Sequence, residues 1–384
     1  MDQPKQQKIT IVNKNYPPNR GITGESANEL AVWLQDNGFQ VKIIHTDGGY
    51  AGGEKYTDPA GELISVKSIY NGKRKLIRLF ASFVESYRLI RKAKQKGEGL
   101  LIIMTDPPFL ILWSALLLKK KKWAYWSMDI YPEAFAAGKL ISHRNLLYRV
   151  YKKIMQKSPP HYIIALGELQ LEFILRNYRI AVPNTILPCG IKKSGINTTK
   201  VTSMPNWKND NKIILGYCGN LGEAHSKNFL LTIIELLDAN KYSLVLSVYG
   251  SKAGDVVSVA KNKTGVIVTE HVQRNHLKYI DVHLVTLLPE WNHICVPSKA
   301  ISAVCEGGVL LFCGNKENDN WSYLQKAAWF IEESDKMRSQ IKNFLCELTN
   351  DEIQQKKIEA DKLSLQMETI KQKAFGCIAE FAQQ

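Results

Sequence analysis

The stretch from residue 212 to residue 237 constrains the fold most. Ile213, Ile214 and Leu215 form a short apolar run, Gly216, Gly219 and Gly222 follow, and Phe229, Leu230, Ile233, Ile234 and Leu237 recur at helical spacing. The order predicts a strand over Lys212–Tyr217, a Gly-rich turn and a helix over Asn228–Leu237. Such a turn lets an anion approach the main chain closely and face the positive end of a helix. An ordinary tight turn in an α/β domain uses the same residues. What favours an anion site is a second element, Val296-Pro297-Ser298-Lys299, which precedes an apolar helix and Gly307-Gly308.

Strand and helix signals alternate through the first half of the chain. Lys8–Asn13 reads as a strand, and Pro17 to Gly24 as a loop containing Gly21 and Gly24. Glu25–Asn37 reads as a helix stopped by Gly38, and Val41–Ile44 as a second strand. This opening lacks GxGxxG, which argues against a nicotinamide cofactor. Residues 45–75, broken by glycines, read as loop, and Leu76–Lys96 as a basic amphipathic helix. Leu100–Met104 and Trp123–Met128 are strands ending at Thr105-Asp106-Pro107-Pro108 and Asp129-Ile130-Tyr131-Pro132-Glu133. Ligands bind open α/β sheets at such C-terminal edges. Asp129 and Glu133 are therefore the candidate carboxylates, the alternative being that they cap and open the following helix. Helices over Asn145–Met155 and Gly167–Tyr178, with a strand at Tyr162–Ala165, complete a domain ending near Gly190.

A polar stretch at 191–211 reads as a linker, after which the alternation resumes. Strands are expected at Tyr242–Tyr249, ending at Gly250, and at Val266–Thr269, His283–Leu288 and Val309–Phe312. Helices are expected at Asp255–Ala260, from Leu277, at Lys299–Glu306 and through most of 335–384. The domains predicted are thus 1–190 and 212–384, joined by 191–211.

Charge separates the halves. Residues 1–190 hold 28 Lys and Arg against 15 Asp and Glu, and residues 191–384 hold 23 against 21. A basic first half suits nucleic acid or an anionic membrane surface. Membrane is favoured by placement: the apolar segment 107–118 runs directly into Lys119-Lys120-Lys121-Lys122, and no helix-turn-helix, RNP or zinc pattern is present. The segment is shorter than the ~20 residues that span a bilayer. It is either interfacial, with Trp113 and the lysines among headgroups, or a core helix whose end the lysines cap. Seven scattered cysteines without metal-ligand spacing suit reduced thiols in a cytoplasmic protein, and a polar start lacks a signal-peptide core.

Taken together, the Pro-Pro…Gly-Ile-Thr-Gly loop, Asp-Ile-Tyr-Pro-Glu, Gly-Asn-Leu-Gly and Pro-Ser-Lys before a short helix resemble the GT-B glycosyltransferases of family 4, the group 1 transferases. The nearest likeness is to bacterial members that assemble exopolysaccharide, capsule or O-antigen units on a lipid carrier. The resemblance implies an α/β chain of two doubly wound, Rossmann-like domains facing a cleft, with C-terminal helices returning to the first. It further implies retaining transfer from a nucleotide diphosphate sugar, UDP being the expected base, without metal or cofactor. Donor binding then falls to Gly219, Asn220, Leu221, Gly222, Gly250, Pro297, Ser298 and Ser302, and catalysis to Asp129, Lys227 and Lys299. Gly21, Gly24 and Glu133 would serve a lipid-linked or saccharide acceptor. The protein would sit at the inner face of the plasma membrane, binding its anionic surface and no nucleic acid.

Three positions depart from the family pattern. Glu223 stands where a basic residue is usual, Ser302 where a glutamate is usual, and Met128 where a histidine is usual. They motivate a second reading, a transferase-like fold that has lost catalysis and binds within a polysaccharide assembly.

Overall fold

Runs of Ile, Leu and Val buried on both faces build parallel strands, because a sheet covered by crossover helices exposes neither side. The computed structural model describes residues 7–18, 21–48, 59–70, 72, 74–191, 204–208 and 211–384. The chain divides into two compact units, Met1–Cys189 with Ile370–Gln384, and Gly190–Thr369. Most of the expected 191–211 linker lies outside the described residues. Trp207, within it, is buried with Ile214, Val272 and Ile280 of the second unit.

The first unit contains strands β1 (Lys8–Val12), β2 (Gln40–Thr46), β3 (Glu62–Val66), β4 (Leu100–Ile103), β5 (Trp123–Ser127), β6 (Tyr162–Ala165) and β7 (Asn184–Ile186). Among the described residues these form one seven-stranded sheet ordered β3-β2-β1-β4-β5-β6-β7. The helices are α1 (Ile22–Asp36), α2 (Lys75–Lys96), α3 (Leu110–Leu117), α4 (Glu133–Ala137), α5 (Leu146–Lys157) and α6 (Glu168–Tyr178). β3 falls inside the segment read as loop. It is an edge strand with an exposed or half-buried pattern, so it lacks the apolar run that marks the inner strands.

The second unit contains β8 (Ile213–Asn220), α7 (Lys227–Leu236), β9 (Tyr242–Tyr249), α8 (Ala253–Ala260), β10 (Val266–Val268), β11 (Val282–Thr286), α9 (Ser298–Cys305), β12 (Val309–Gly314), α10 (Asp319–Leu324), β13 (Ala328–Glu332), α11 (Met337–Glu347) and α12 (Asn350–Gln383). The six-stranded sheet runs β10-β9-β8-β11-β12-β13, every pair parallel. The helix expected from Leu277 is a 3-10 turn over Arg274–Tyr279. The last part of α12, from Ile370, belongs to the first unit. There Phe375 packs on Trp33 at 5.7 Å and Phe381 stacks on Tyr162 at 4.5 Å.

Both sheets are doubly wound, and the direction of winding reverses between β1 and β4 and between β8 and β11. At such a reversal the loops leave to opposite faces and open a crevice outside the strand ends. Each unit therefore offers one such edge.

Candidate functional site

In the second unit, β8 continues further than the glycines suggested. Cys218, Gly219 and Asn220 pair with Ser247, Val248 and Tyr249 of β9, so the turn starts only at Leu221. Gly216 is a packing glycine, since a Cβ there would stand 2.6 Å from the Ile280 side chain. Gly219 differs: its φ is +131° and nothing lies within 4 Å of where a Cβ would be. It leaves the main chain open to a ligand.

The loops after β8 and β9 are knitted together. Leu221, wholly buried, donates its N–H to Tyr249 O at 2.6 Å and accepts from Lys252 N at 3.1 Å. Gly250, with φ +112°, leaves room for Asn220, whose Oδ1 would stand 2.2 Å from a Cβ there. Gly222 lies against the Asn220 amide as well, at 3.2 Å from a Cβ position. Lys252 Nζ donates to the carbonyls of Glu223 at 2.9 Å and His225 at 2.7 Å, and Ser251 donates to the Glu223 carboxylate at 3.1 Å. Burial lowers the pKa of Lys252.

Across this loop stands the start of α9. The Pro297 carbonyl is held by Asn320 Nδ2 at 3.1 Å, and Ser298 opens the helix. Lys299 Nζ donates to the Tyr217 hydroxyl, lies 3.9 Å from the centroid of that ring, and sits 3.4 Å from both Asn220 O and His225 Nε2. Burial brings the Lys299 pKa down to about 7. His225 Nδ1 is 2.5 Å from Thr286 O. A carbonyl only accepts, so Nδ1 carries the ring proton and Nε2 is the acceptor facing Lys299. Burial, then Lys299 and Lys252, hold the His225 pKa well below its usual value, so the ring is neutral. Among the described residues no carboxylate pairs with Lys299. The arrangement is a partly desolvated ammonium between two neutral partners, beside the open main chain at Gly219. An incoming anion would supply the missing countercharge.

Two residues expected here are occupied otherwise. Lys227, first in α7, pairs with Asp255 at 2.5 Å on the surface. Ser302 donates to Gly190 O at 3.0 Å, and Gly190, at φ +99°, has no room for a side chain between Ser298 O and Ser302 Oγ. The Ser302 hydroxyl therefore anchors the start of this unit. Tyr217, His225 and Lys252 escaped the sequence reading, which saw a strand residue and two loop residues. Only the pairing of Tyr217 and His225 with Lys299 marks them.

In the first unit the corresponding edge carries Asp106 after β4 and Asp129 after β5. Asn15 Nδ2 donates to Asp106, and Asp129 N donates to Thr105 Oγ1 at 3.1 Å. Burial raises both carboxyl pKa values to about 6; Asp106 adds to the shift of Asp129, while Lys14 and Asn15 partly offset that of Asp106. Lys14 is itself bonded to Glu85 at 2.7 Å. Gly21 precedes α1, its carbonyl accepting from Glu25 N at 2.9 Å. Gly24 is pressed against Asn15 and Tyr16, with a Cβ position 2.8 Å from Asn15 O, so chain and not ligand stands over it. Glu133 does not face the edge. It is 2% exposed, and Tyr148, Asn177 and Tyr178 all donate to its carboxylate, which fixes it inside the unit.

The lysine run lies elsewhere. Lys119 and Lys122 line a cavity of 760 Å³ with Lys157 and His161, at the start of β5 and thus at the sheet's opposite end. Lys122 donates to Phe381 O at 2.5 Å and lies 3.9 Å from that ring, a structural use of its charge. Among the described residues no helix is long and apolar enough to cross a membrane.

No family model matches the sequence, and no curated protein matches it. Solved structures do. The E. coli trehalose-6-phosphate enzyme bound with UDP-2-fluoro glucose superposes with a TM-score of 0.67 at 13% identity, over 98% of this chain and 99% of that one. Anabaena HepE, in complex with UDP and glucose, gives 0.67 at 13%, over 98% and 100%. WaaG, a glycosyltransferase involved in lipopolysaccharide biosynthesis, gives 0.67 at 14%, over 96% and 98%. At such identities the likeness speaks to the fold, which is the GT-B fold of glycosyltransferases.

Proposed function

We propose that the chain is a retaining glycosyltransferase whose second unit holds a nucleoside diphosphate sugar at the ends of β8 and β11. The observation that carries this is Lys299, a cation with no carboxylate partner among the described residues, beside the open main chain of Gly219. UDP complexes of two proteins with the same fold support a uridine nucleotide. The bond between the anomeric carbon and the phosphate oxygen breaks with its electron pair passing to the diphosphate. The Lys299 ammonium and main-chain N–H groups of the loop stabilise that charge without a resident metal. The acceptor oxygen bonds to the same face of the anomeric carbon, and its proton passes to the leaving phosphate. The protein supplies no covalent nucleophile.

The acceptor, a lipid-linked or other saccharide, is assigned to the first unit, where Asp129 and Asp106 can accept hydrogen bonds from sugar hydroxyls. A place in surface polysaccharide assembly, on the cytoplasmic side of the membrane, is the setting that fits such an acceptor. The test is hydrolysis of UDP-glucose and UDP-N-acetylglucosamine without acceptor, followed by the anomeric configuration of transferred sugar. UDP release that Lys299→Ala abolishes, with product of retained configuration, supports the proposal; an inverted product overturns retention.

One observation favours a binding protein without catalysis. Glu223 puts a carboxylate on the loop beside the site, and Lys227 is engaged by Asp255. Tight UDP binding with neither hydrolysis nor transfer would select that reading.

A further inference from the structure

The cavity at the starts of β5 and β6 draws its polar wall from one kind of group. α3 and α5 end beside it, Trp123 and His161 stand at the strand starts, and Phe381 comes from the last turn of α12, all within the first unit. It measures 760 Å³, a size that suits a small molecule. Lys119, Lys122 and Lys157 bring three ammonium groups to its wall, and no Asp or Glu side chain lines it. His161 adds a fourth donor. Its Nδ1 accepts from Trp123 N at 3.4 Å, so the neutral ring carries its proton on Nε2. Groups that only donate call for a ligand that only accepts.

Three helices ending at one place offer another use for these lysines, since a helix C-terminus carries partial negative charge. Lys122 is used in that way, through the Phe381 carbonyl and ring. Both of those partners are neutral, and burial lowers the Lys122 pKa. Lys119 and Lys157 differ. Both are exposed, and neither side chain has a hydrogen-bond or ion-pair partner among the described residues. Their two charges remain for an occupant, and an ammonium group is a common partner of phosphate oxygens. We propose that the cavity binds a soluble, multiply charged phosphate compound, at the end of the sheet opposite Asp106 and Asp129. Ala115, Pro160, Val182 and the Phe381 ring supply apolar wall for an organic body attached to that phosphate. The site stands independently of the transferase reading, because Lys299 and the donor edge belong to the other unit.

The experiment is calorimetric titration of the full chain with inorganic diphosphate. Lys299→Ala serves as the background, so that the cation of the donor edge takes no part. It is compared with the same protein carrying Lys119→Ser/Lys157→Ser, Lys119→Arg/Lys157→Arg, or a control of equal charge loss on α2, Arg88→Ser/Arg91→Ser. These four side chains are exposed, and unchanged melting curves certify the fold. We expect the background to bind one equivalent, the lysine-to-serine pair to weaken binding by about tenfold or more, and the arginine pair and the control to change it by less than about threefold. Amide exchange should slow over the last turns of α12 when diphosphate is bound. Binding by the wild type that Lys299→Ala abolishes overturns the proposal, as does an equal loss in the control, which would leave net charge as the cause. Sedimentation with phosphatidylglycerol vesicles separates a lipid headgroup from a free phosphate: vesicle binding lost in the serine pair, without diphosphate binding, overturns it too. Diphosphate binding at the cavity with no UDP binding by the wild type leaves this site standing and removes the transferase reading.

Discussion

The Lys299 ammonium lies 3.9 Å from the centroid of the Tyr217 ring and donates to its hydroxyl, with no carboxylate partner among the described residues. Removing it should cost the charge that stabilises a departing diphosphate and little of the fold. Lys299→Ala is predicted to lower turnover about 10²- to 10³-fold. Steady-state UDP release measures it, and an unchanged rate would mean that another group holds the phosphate.

On the proposed donor site, titration of Lys299 links donor binding to pH. Its pKa is about 7 against an ordinary 10.5, and His225, Cys218 and Tyr217, which face it, are neutral there. Above about pH 7 the amine must take up a proton when it meets a diphosphate, so affinity should fall as pH rises. Calorimetry in buffers of different ionisation heat should register that uptake at about pH 8 and almost none at about pH 6. The same shift bears on stability. The cost of burying the ammonium is present below about pH 7 and disappears as pH rises toward 10.5, so Lys299→Met should melt above the wild type at low pH, with the gap closing upward.

Asp129 carries the opposite sign. Its folded pKa of about 6 exceeds the ordinary 3.8, so the fold binds extra protons between those values and loses stability as pH rises through them. Asp129→Asn should therefore gain up to about 3 kcal/mol of stability above pH 6 and nothing below about pH 4. If Asp129 serves the acceptor, transfer falls while UDP affinity stays. Melting curves and the two assays separate these effects.

Glu133 behaves as a structural carboxylate. Glu133→Ala leaves the donors of Tyr148 and Asn177 without this acceptor inside the unit, while the Tyr178 hydroxyl keeps the Tyr131 carbonyl at 2.8 Å. The expected loss is about 2–4 kcal/mol, read by denaturant unfolding, with UDP affinity unchanged at temperatures where the variant is folded.

Much of the architecture is legible in the sequence because parallel strands buried on both faces give unbroken apolar runs, as in Leu100–Ile103 and Val309–Phe312. The strands that escape are the edge strands β3, β7 and β13, which lose that pattern on their open side. The site was legible only where one residue type says enough by itself. Gly219 and Gly250 announce unusual backbone, and Lys299 announces charge. Lys227 and Ser302 look equally functional, but their partners, Asp255 and Gly190, lie 28 and 112 residues away, and only the fold brings them together. Glu133 misled for the same reason, since Tyr148, Asn177 and Tyr178 reach it from later helices.

Thermal unfolding of the wild type and Lys299→Ala with UDP, GDP, ADP and CMP tests the central claim most directly. A ligand at about 100 times its Kd adds about 2.7 kcal/mol to the native state. The account predicts that UDP raises the wild-type melting temperature and barely moves that of Lys299→Ala. Equal shifts for both proteins, or no shift with any nucleotide, would contradict it.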